Sequence, residues 1–320
     1  MMDKETQALL AQFNQHVPST DETQTGIEAS RAGARAMFIG LQGPVNPDCR
    51  VTDLSIPGKD GKTPARLYRP QGESDMPLPL VLFVHGGGWS LGDLDCYDAL
   101  VRDLCQQSGC LFISLDYRLA PDHPYPAGLD DVSQALDWVF AQAHTLHADP
   151  QRIAIMGDSA GGNLALVASH RLHSKGSLRL AAQYLIYPVL DVHNSHDQYP
   201  SRLQFGNGDY LLANAAIDGT RDWYIGGQAG SDNPEVSPML LTELSHLPPT
   251  SLLVAGFDPL KDEGERFARR LQQADVLLRF QSFESTIHAF LSFGDLPVAR
   301  EARQALANQL KQDLAGSQTA

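Results

Sequence analysis

A serine between two glycines follows a run of apolar residues in "IAIMGDSAGGN", residues 153–163. The apolar run predicts a strand, and the pattern Gly157-x-Ser159-x-Gly161 is typical of a sharp turn that presents a nucleophilic serine at the end of a strand. A serine after a strand also occurs as the N-cap of a helix, where its hydroxyl only accepts a backbone hydrogen bond. The spacing alone leaves both roles open for Ser159.

Three other segments with polar or glycine-rich residues also follow predicted strands. The first is "HGGGW", residues 85–89, where consecutive glycines allow backbone N–H groups to approach a negatively charged oxygen. The second contains Asp258, in "VAGFDPLKDEG", and the third contains His288, in "FESTIHAF". A serine hydroxyl needs an imidazole to remove its proton, and the imidazole needs a carboxylate to orient it. Together the segments supply these groups.

Several acidic residues between the serine and the histidine compete for the role of the carboxylate. Of these, Asp258 alone directly follows a clear strand, which makes it our prediction. Asp262 and Glu263 are close enough in sequence to be alternatives. The more distant acids include Asp191, Asp209 and Asp275.

The secondary-structure elements that carry these four segments are predicted to alternate between strand and helix from about residue 78 onwards. This alternation predicts a mostly parallel sheet of about eight strands with helices on both faces. Residues 50–69 predict an antiparallel hairpin that turns at "KDGK", residues 59–62. Because functional residues of open α/β sheets gather at the carboxyl ends of strands, we expect the four segments to converge.

Two segments outside this alternation predict a cap over one end of the sheet. Residues 1–45 contain two helices with apolar positions that include Met37, and residues 46–320 form the catalytic domain. An insertion at about 192–236 is polar, glycine-rich and aromatic, and it is too long for an ordinary loop. We expect the two segments to pack together, with Trp89, Tyr187 and Tyr210 in the substrate pocket.

Five motifs in order carry a family resemblance: "HGGGW", "DYRLAPDHPYPA", "GDSAGGN", "DPLKDEG" and "HAF". Over residues 50–312 the chain resembles the bacterial hormone-sensitive-lipase family of carboxylesterases, which includes acetyl esterases. The resemblance implies an α/β-hydrolase fold with a helical cap. It also implies Ser159 as the nucleophile, His288 as the general base and Asp258 as the acid that orients it.

The same resemblance implies further structural details. The backbone N–H groups of Gly86, Gly87 and Ala160 would form the oxyanion hole. The Ala120–Pro121 and Tyr125–Pro126 bonds would be cis. Family members often carry Phe or Tyr where this chain has Trp89, which affects the expected shape of the pocket. We interpret the proline-rich motif itself as structural and expect its Arg118 to pair with a nearby acid. Asp158, which directly precedes Ser159, is expected to support the site through a hydrogen bond.

The composition argues against several other classes of function. A net charge of −14, a pI near 5.1 and the absence of a basic run disfavour a nucleic-acid partner. The sequence has neither a signal-peptide pattern nor an apolar stretch of membrane-span length, so we expect a soluble, cytoplasmic protein. Four cysteines without a CxxC pair predict reduced thiols.

No cofactor or metal is expected from the motifs. The chain has neither a G-x-G-x-x-G nor a P-loop pattern. Three pairs of histidines are spaced i,i+3, but no third ligand accompanies any pair in the sequence. These pairs are His144/His147, His170/His173 and His193/His196.

The sequence therefore predicts a serine carboxylesterase that hydrolyses short-chain acyl esters through an acyl-enzyme. Its expected partner is a small-molecule ester. Whether the protein forms a homodimer is left open by the sequence. An amidase, formamidase or peptidase would use the same three residues and differ in its leaving group. A non-catalytic ligand receptor is the remaining alternative, and we would expect it to lack one of the three.

Overall fold

The computed structural model describes residues 1–15, 26–72, 76–174, 176, 178–227 and 230–315. Within these ranges, eight strands form one sheet in the order β1-β2-β4-β3-β5-β6-β7-β8. The predicted sheet of about eight strands is thereby confirmed. The strands are Arg50–Gly58 (β1), Gly61–Arg69 (β2), Leu78–Val84 (β3), Leu111–Leu115 (β4), Ala148–Asp158 (β5), Ala182–Ile186 (β6), Thr250–Phe257 (β7) and Leu277–Ile287 (β8).

Helices precede, separate and follow the strands. Two lie before the sheet, two lie between β6 and β7, and the others alternate with strands or close the chain. In the described ranges the α-helices are Lys4–Gln15 (α1), Ile27–Leu41 (α2), Asp98–Ser108 (α3), Ala127–Gln142 (α4), Ala160–Ser174 (α5), Pro200–Phe205 (α6), Asn214–Ile225 (α7), Lys261–Gln273 (α8) and Pro297–Asp313 (α9).

The directions of the strands bring their functional ends to one edge. β1 and β2 form the predicted antiparallel hairpin, in which Gly58 lies opposite Gly61. β2 is antiparallel to β4, whereas every pairing from β4 through β8 is parallel. The carboxyl ends of β3, β5, β7 and β8 therefore lie on the same side of the sheet.

The core consists of two apolar layers, one on each face of the sheet. Along β3, Leu82 and Val84 pack in one layer, and Val81 and Phe83 pack in the other. Successive strand residues point to opposite faces, so a central strand covered on both faces is apolar throughout. Such a strand is held rigidly, and the residues that follow it inherit a fixed position.

The proline-rich segment after β4 has the geometry that the resemblance implied. The Ala120–Pro121 and Tyr125–Pro126 bonds are both cis. Arg118 pairs with Asp131 of α4, with Nη2 donating to Oδ1 over 2.8 Å. These two expectations are confirmed.

The inserted helix α6 is anchored to α8 by a buried ion pair. Arg202 donates to the Glu263 carboxylate, and the two side chains are 1% and 0% exposed. Glu263 also accepts a hydrogen bond of 2.8 Å from the N–H of Leu190. Although burial disfavours its charge, the nearby Glu263 carboxylate raises the pKa of the Arg202 guanidinium.

Replacing Glu263 with alanine should destabilise the protein by about 3–5 kcal/mol, because it leaves the Arg202 charge buried without its counter-ion. The free energy of unfolding in urea measures this loss. Glu265→Ala is the matched control on the same helix, since Glu265 is partly exposed and its ion-pair contacts to Lys261 and Arg269 span 4.0 and 3.9 Å. Equal stability of the two variants would contradict the anchoring role.

Candidate active site

Ser159 lies in a strained turn between β5 and α5. Its φ is +52°, a left-handed backbone conformation that residues other than glycine rarely adopt. A Cβ at Gly157 would collide with the carbonyl of Gly161, and a Cβ at Gly161 would collide with the carbonyl of Val84. The two glycines are therefore a steric requirement of this turn, which holds the serine hydroxyl above the sheet.

The imidazole of His288 connects the serine hydroxyl to a carboxylate. Nε2 of His288 lies 2.9 Å from Oγ of Ser159, and Nδ1 lies 2.7 Å from Oδ2 of Asp258. Because a carboxylate only accepts, Nδ1 carries the proton, which leaves Nε2 to accept from Ser159. The hydroxyl of Ser159 is therefore bonded to an imidazole, as the nucleophile reading requires.

The pairing of β7 with β8 sets the distance between the histidine and the acid. Phe257 and Ile287 are partners across the two strands, and each directly precedes one of the two polar residues. Oδ1 of Asp258 accepts a further hydrogen bond of 2.8 Å from the N–H of Leu260, which fixes the carboxylate. Asp258 is fully buried, whereas His288 retains 6% exposure toward the cavity.

The neighbouring acids that competed with Asp258 have other partners. Asp262 accepts a hydrogen bond of 2.7 Å from the N–H of Ser201, at the start of α6. Glu263 is paired with Arg202. Both side chains hold the inserted segment and do not contact His288.

The residues from His85 to Asp95, which we call the glycine loop, begin at a buried neutral histidine. Burial lowers the pKa of His85 to about 4. Its Nδ1 donates to the carbonyl of Gly86 over 2.8 Å, and its ring stacks on Tyr117 at 4.5 Å. His85 therefore shapes the loop and carries no charge at neutral pH.

The structure corrects the predicted oxyanion donor Gly86. Its N–H donates to Oδ1 of Asp158 over 2.8 Å and Gly86 is not among the residues that line the cavity, so the prediction for this residue is wrong. Gly87, predicted with it, lines the cavity beside Ser159, and Gly88 does so too. Ala160 opens α5, and a first-turn N–H has no partner within its helix. The donors available on this geometry belong to Gly87, Gly88 and Ala160.

Asp158, next to the serine, is a fully buried carboxyl that binds the glycine loop. Besides Gly86, the hydroxyl of Tyr97 donates to its Oδ2 over 3.4 Å. Burial raises the pKa of Asp158 to about 7. Asp158 thus supports the loop through a hydrogen bond, as expected.

This raised pKa predicts a pH-dependent difference in stability between the wild type and Asp158→Asn. As pH rises from about 4 to about 7, the unfolded chain releases the Asp158 proton while the folded chain retains it, which disfavours folding. Relative to the uncharged variant, the wild type should therefore lose stability over that range and level off above it. Melting temperatures of both proteins from pH 4.5 to 8.5 measure this, and a constant difference would contradict it.

A cavity of about 210 Å³ opens beside Ser159 and His288. Its other walls are mostly apolar and come mainly from α2, from the glycine loop and from the inserted segment. Thr220, a polar residue of this wall, donates its hydroxyl to the backbone carbonyl of Ala216 over 2.9 Å. These walls include Met37, Phe38, Trp89, Leu91, Val189, Leu211, Leu212, Ala216 and Ile217.

The three predicted pocket residues have different positions. Trp89 lines the cavity, whereas Tyr187 and Tyr210 are not among its lining residues. Tyr187 is buried with its ring centroid 4.9 Å from that of His288. Tyr210 packs against Phe205 and Phe257, with centroids at 5.1 and 5.9 Å. Both tyrosines support neighbouring residues instead of facing the cavity.

The sequence predicted the N-terminal helices as part of a cap over the site, but it did not single out the residues of α2 that line the cavity. Met37 was predicted only as an apolar position of the helix, and the structure places both Met37 and Phe38 in the cavity wall. Phe38 stacks on Tyr97 at 5.6 Å and also packs near Phe293. The helix is thus fixed against both the glycine loop region and the segment after His288.

The structure adds a third histidine to one of the i,i+3 pairs. Nδ1 of His170 lies 2.6 Å from Nε2 of His246, and the rings of His173 and His246 are 4.7 Å apart. Within the described ranges, however, no three potential ligands are arranged to hold a metal ion. Sequence alone gave no signal for His246, because it lies 76 residues from His170.

Comparison with known proteins places this site in a family. A family model described as "alpha/beta hydrolase fold" matches residues 81–292, a range that contains Ser159, Asp258 and His288. The chain belongs to the α/β-hydrolase family. The fold that the motifs implied is thereby confirmed.

Individual members of the family identify the class of reaction. A carboxylic ester hydrolase of Mycobacterium tuberculosis, LipN, is 42% identical over 84% of this chain and 72% of its own. An ethyl acetate hydrolase of Pseudomonas putida is 37% identical over 88% and 86%. The solved ester hydrolase EH1AB1, from a lake metagenome, superimposes with a TM-score of 0.91 at 32% identity, covering 99% and 100%. The chain is a carboxylic ester hydrolase of this family.

Two further observations bear on the composition. None of the helices within the described residues has the length and apolar character that crossing a bilayer requires. Cys49, Cys96, Cys105 and Cys110 are all buried and unpaired by disulfides.

Proposed function

We propose that this esterase hydrolyses short-chain acyl esters through an acyl-enzyme formed on Ser159. The observation that carries the proposal is the double hydrogen bond of His288, to Ser159 on one side and to Asp258 on the other. In this arrangement Ser159 is the nucleophile, His288 is the general base and Asp258 orients the imidazole and stabilises its charged form.

The protons follow the geometry of His288. Nε2 takes the proton of Ser159 as Oγ attacks the ester carbonyl carbon, and it then returns that proton to the departing alkoxide oxygen. Water enters the same position, gives its proton to Nε2 and attacks the acyl-enzyme carbonyl. The carboxylic acid leaves as Ser159 recovers its proton.

The negative charge that develops on the carbonyl oxygen needs donors that are already in place. We assign this role to the N–H groups of Gly87, Gly88 and Ala160. Gly87 and Gly88 line the cavity beside Ser159, and Ala160 starts the helix that follows it. Donors that are fixed before the reaction stabilise the tetrahedral intermediate without a reorganisation cost.

The cavity supports a preference for small uncharged acyl groups. Its wall is mainly apolar, and none of the described residues that line it is a lysine or an arginine that could pair with an anionic substrate. A site of this kind stabilises alkyl groups by burial and leaves an anionic group without a counter-ion. We also propose that residues 1–45 and the segment 192–236 act as the cap, since both contribute wall residues.

A panel of matched esters and amides tests the proposal. The 4-nitrophenyl esters of acetate, butyrate, octanoate and dodecanoate vary the acyl length, and the corresponding 4-nitroanilides vary the leaving group. We expect kcat/KM to be highest for the short esters and to fall with the longest chains. Anilide turnover should be far slower, because the amine must be protonated as it leaves.

The same panel distinguishes the alternative reactions. Comparable kcat/KM for an anilide and its ester would favour an amidase that uses the same three residues. A maximum at dodecanoate would contradict the short-chain preference while leaving the nucleophile unaffected.

A further inference from the structure

The segment proposed to hold the oxyanion has an unusual backbone. Gly87, Gly88 and Trp89 have φ values of +110°, +59° and +56°. Trp89 is a bulky residue in a conformation that such residues rarely adopt, and a strained segment of this kind persists only when its surroundings hold it. The N–H of Ser90 and that of Leu91 both donate to the carbonyl of Gly87, which closes a tight turn.

One side of this turn is supported by α7. Thr220 lies so close to Gly88 that a Cβ added to the glycine would be 2.8 Å from the threonine methyl. One helical turn later, Tyr224 stacks face to face on the Trp89 indole, with centroids 4.5 Å apart and planes inclined by 6°. These contacts are van der Waals and ring contacts, which limit how far the turn can move toward α7.

A second support of this turn is the guanidinium of Arg31, from α2. Nε donates to the carbonyl of Ser90 over 3.0 Å, and Nη2 donates to the carbonyl of Ala120 over 3.1 Å. Nη2 also pairs with Asp122 at 2.8 Å, and the arginine side chain is 24% exposed. The N–H of Ala120 in turn donates to the carbonyl of Trp89 over 2.9 Å. Arg31 therefore links the backbone at Ser90, which follows Trp89, to the backbone at Ala120, which is hydrogen-bonded to Trp89.

A second arginine of the same helix binds the far end of the glycine loop. Nε of Arg35 donates to Oδ2 of Asp93 over 2.7 Å, and Nη2 pairs with Asp95. This pair is more exposed than that of Arg31, and it contacts side chains several residues beyond the glycines. Arg35 is therefore a natural comparison residue, with the same chemistry at a greater distance from Gly87 and Gly88.

We propose that Arg31 is a positioning residue for the oxyanion hole, so that α2 supports catalysis as well as forming a cavity wall. Arg31 holds the carbonyl of Ser90 and so fixes the turn that Ser90 closes. The N–H groups of Gly87 and Gly88, at the start of this turn, are those proposed to stabilise the developing negative charge. This inference rests on the proposed function of Gly87 and Gly88. It assigns to the N-terminal segment a role in the chemical step, separate from any role in covering the substrate.

The test compares Arg31→Ala with Arg35→Ala and with the cavity-wall variant Met37→Ala. Loss of an oxyanion donor costs about 10²–10³ in kcat, so loss of its support should lower kcat by about 10- to 100-fold in Arg31→Ala. KM for 4-nitrophenyl acetate should change little, and the fold loss should be equal for acetate and butyrate. Arg35→Ala should retain most of the activity, and Met37→Ala should change the preference between acyl groups.

A transition-state analogue provides a second readout. A trifluoromethyl ketone forms an anionic tetrahedral adduct with a serine, so its Ki should rise in Arg31→Ala by the same factor as kcat/KM falls. Arg31→Lys should recover part of the loss, because a lysine reaches one carbonyl but lacks the planar fork that binds two.

Active-site titration with a fluorophosphonate separates this inference from the proposed function. If the wild type does not react at Ser159, the proposed function fails. If it reacts and Arg31→Ala has wild-type kcat per titrated site, the positioning role is overturned. A loss confined to KM, or one that differs between acetate and butyrate, would also overturn it in favour of a wall role for α2.

Discussion

Replacing Ser159 with alanine should lower kcat for ester hydrolysis by about 10⁶-fold, with the fold retained. The variant removes the nucleophile, and residual turnover would come from the oxyanion donors and substrate binding alone. Steady-state kinetics on 4-nitrophenyl acetate measure the loss, and circular dichroism monitors the fold. A fluorophosphonate should label the wild type at Ser159, as located by mass spectrometry, and should leave the variant unlabelled.

Ser169→Ala is the matched control for this substitution. Ser169 lies on α5, is buried, and donates its hydroxyl to the carbonyl of Ala165 over 2.9 Å. The control removes the same atom from the same helix without touching His288, so its kcat should stay near the wild-type value. Near-normal turnover in Ser159→Ala would end the serine-esterase proposal, whatever the control shows.

Asp258→Asn should lower kcat by about 10⁴-fold, because the asparagine can present an N–H to Nδ1 of His288. The imidazole proton would then move to Nε2, which could no longer accept from Ser159. The side chain keeps its size, so the loss should appear in kcat with little change in the melting temperature. Kinetics and thermal unfolding of the same preparation measure both quantities.

The neighbouring acid Asp262 provides the control for this prediction. Its carboxylate accepts from the N–H of Ser201, a contact that the carbonyl of an asparagine can retain. Asp262→Asn should therefore keep most of the wild-type kcat. If Asp262→Asn were the more damaging of the two, the assignment of the orienting acid would be incorrect.

The fold was largely predictable because its local signals agree. Alternating strands and helices, the turn at Lys59 and Asp60, and glycines around Ser159 all indicate the same architecture, and the structure has it. The sequence also allowed us to predict that Asp258 and His288 each directly follow a strand. Parallel strands bring their carboxyl ends to one edge, so the two side chains and Ser159 meet there.

The details that sequence reasoning missed depend on contacts between distant segments. Three consecutive glycines do not reveal which N–H stays free for a substrate, because the N–H of Gly86 is bonded to Asp158, 72 residues later. Likewise, an aromatic residue in an insertion has no sequence mark that separates a pocket position from a packing position, and Tyr210 packs on Phe257. The position of Arg31 depends on the docking of α2, which apolar periodicity does not specify.

The separation of Ser159 and His288 along the chain makes catalysis a late event in folding. His288 follows β8, which in the described part of the chain lies at the edge of the sheet beside β7, and it is 129 residues from Ser159. Helices form from local contacts, whereas a contact between residues so far apart in sequence forms more slowly. During refolding from denaturant, helical circular dichroism should return before ester hydrolysis does. The rate at which ester hydrolysis returns then measures how fast β8 and His288 reach their final positions.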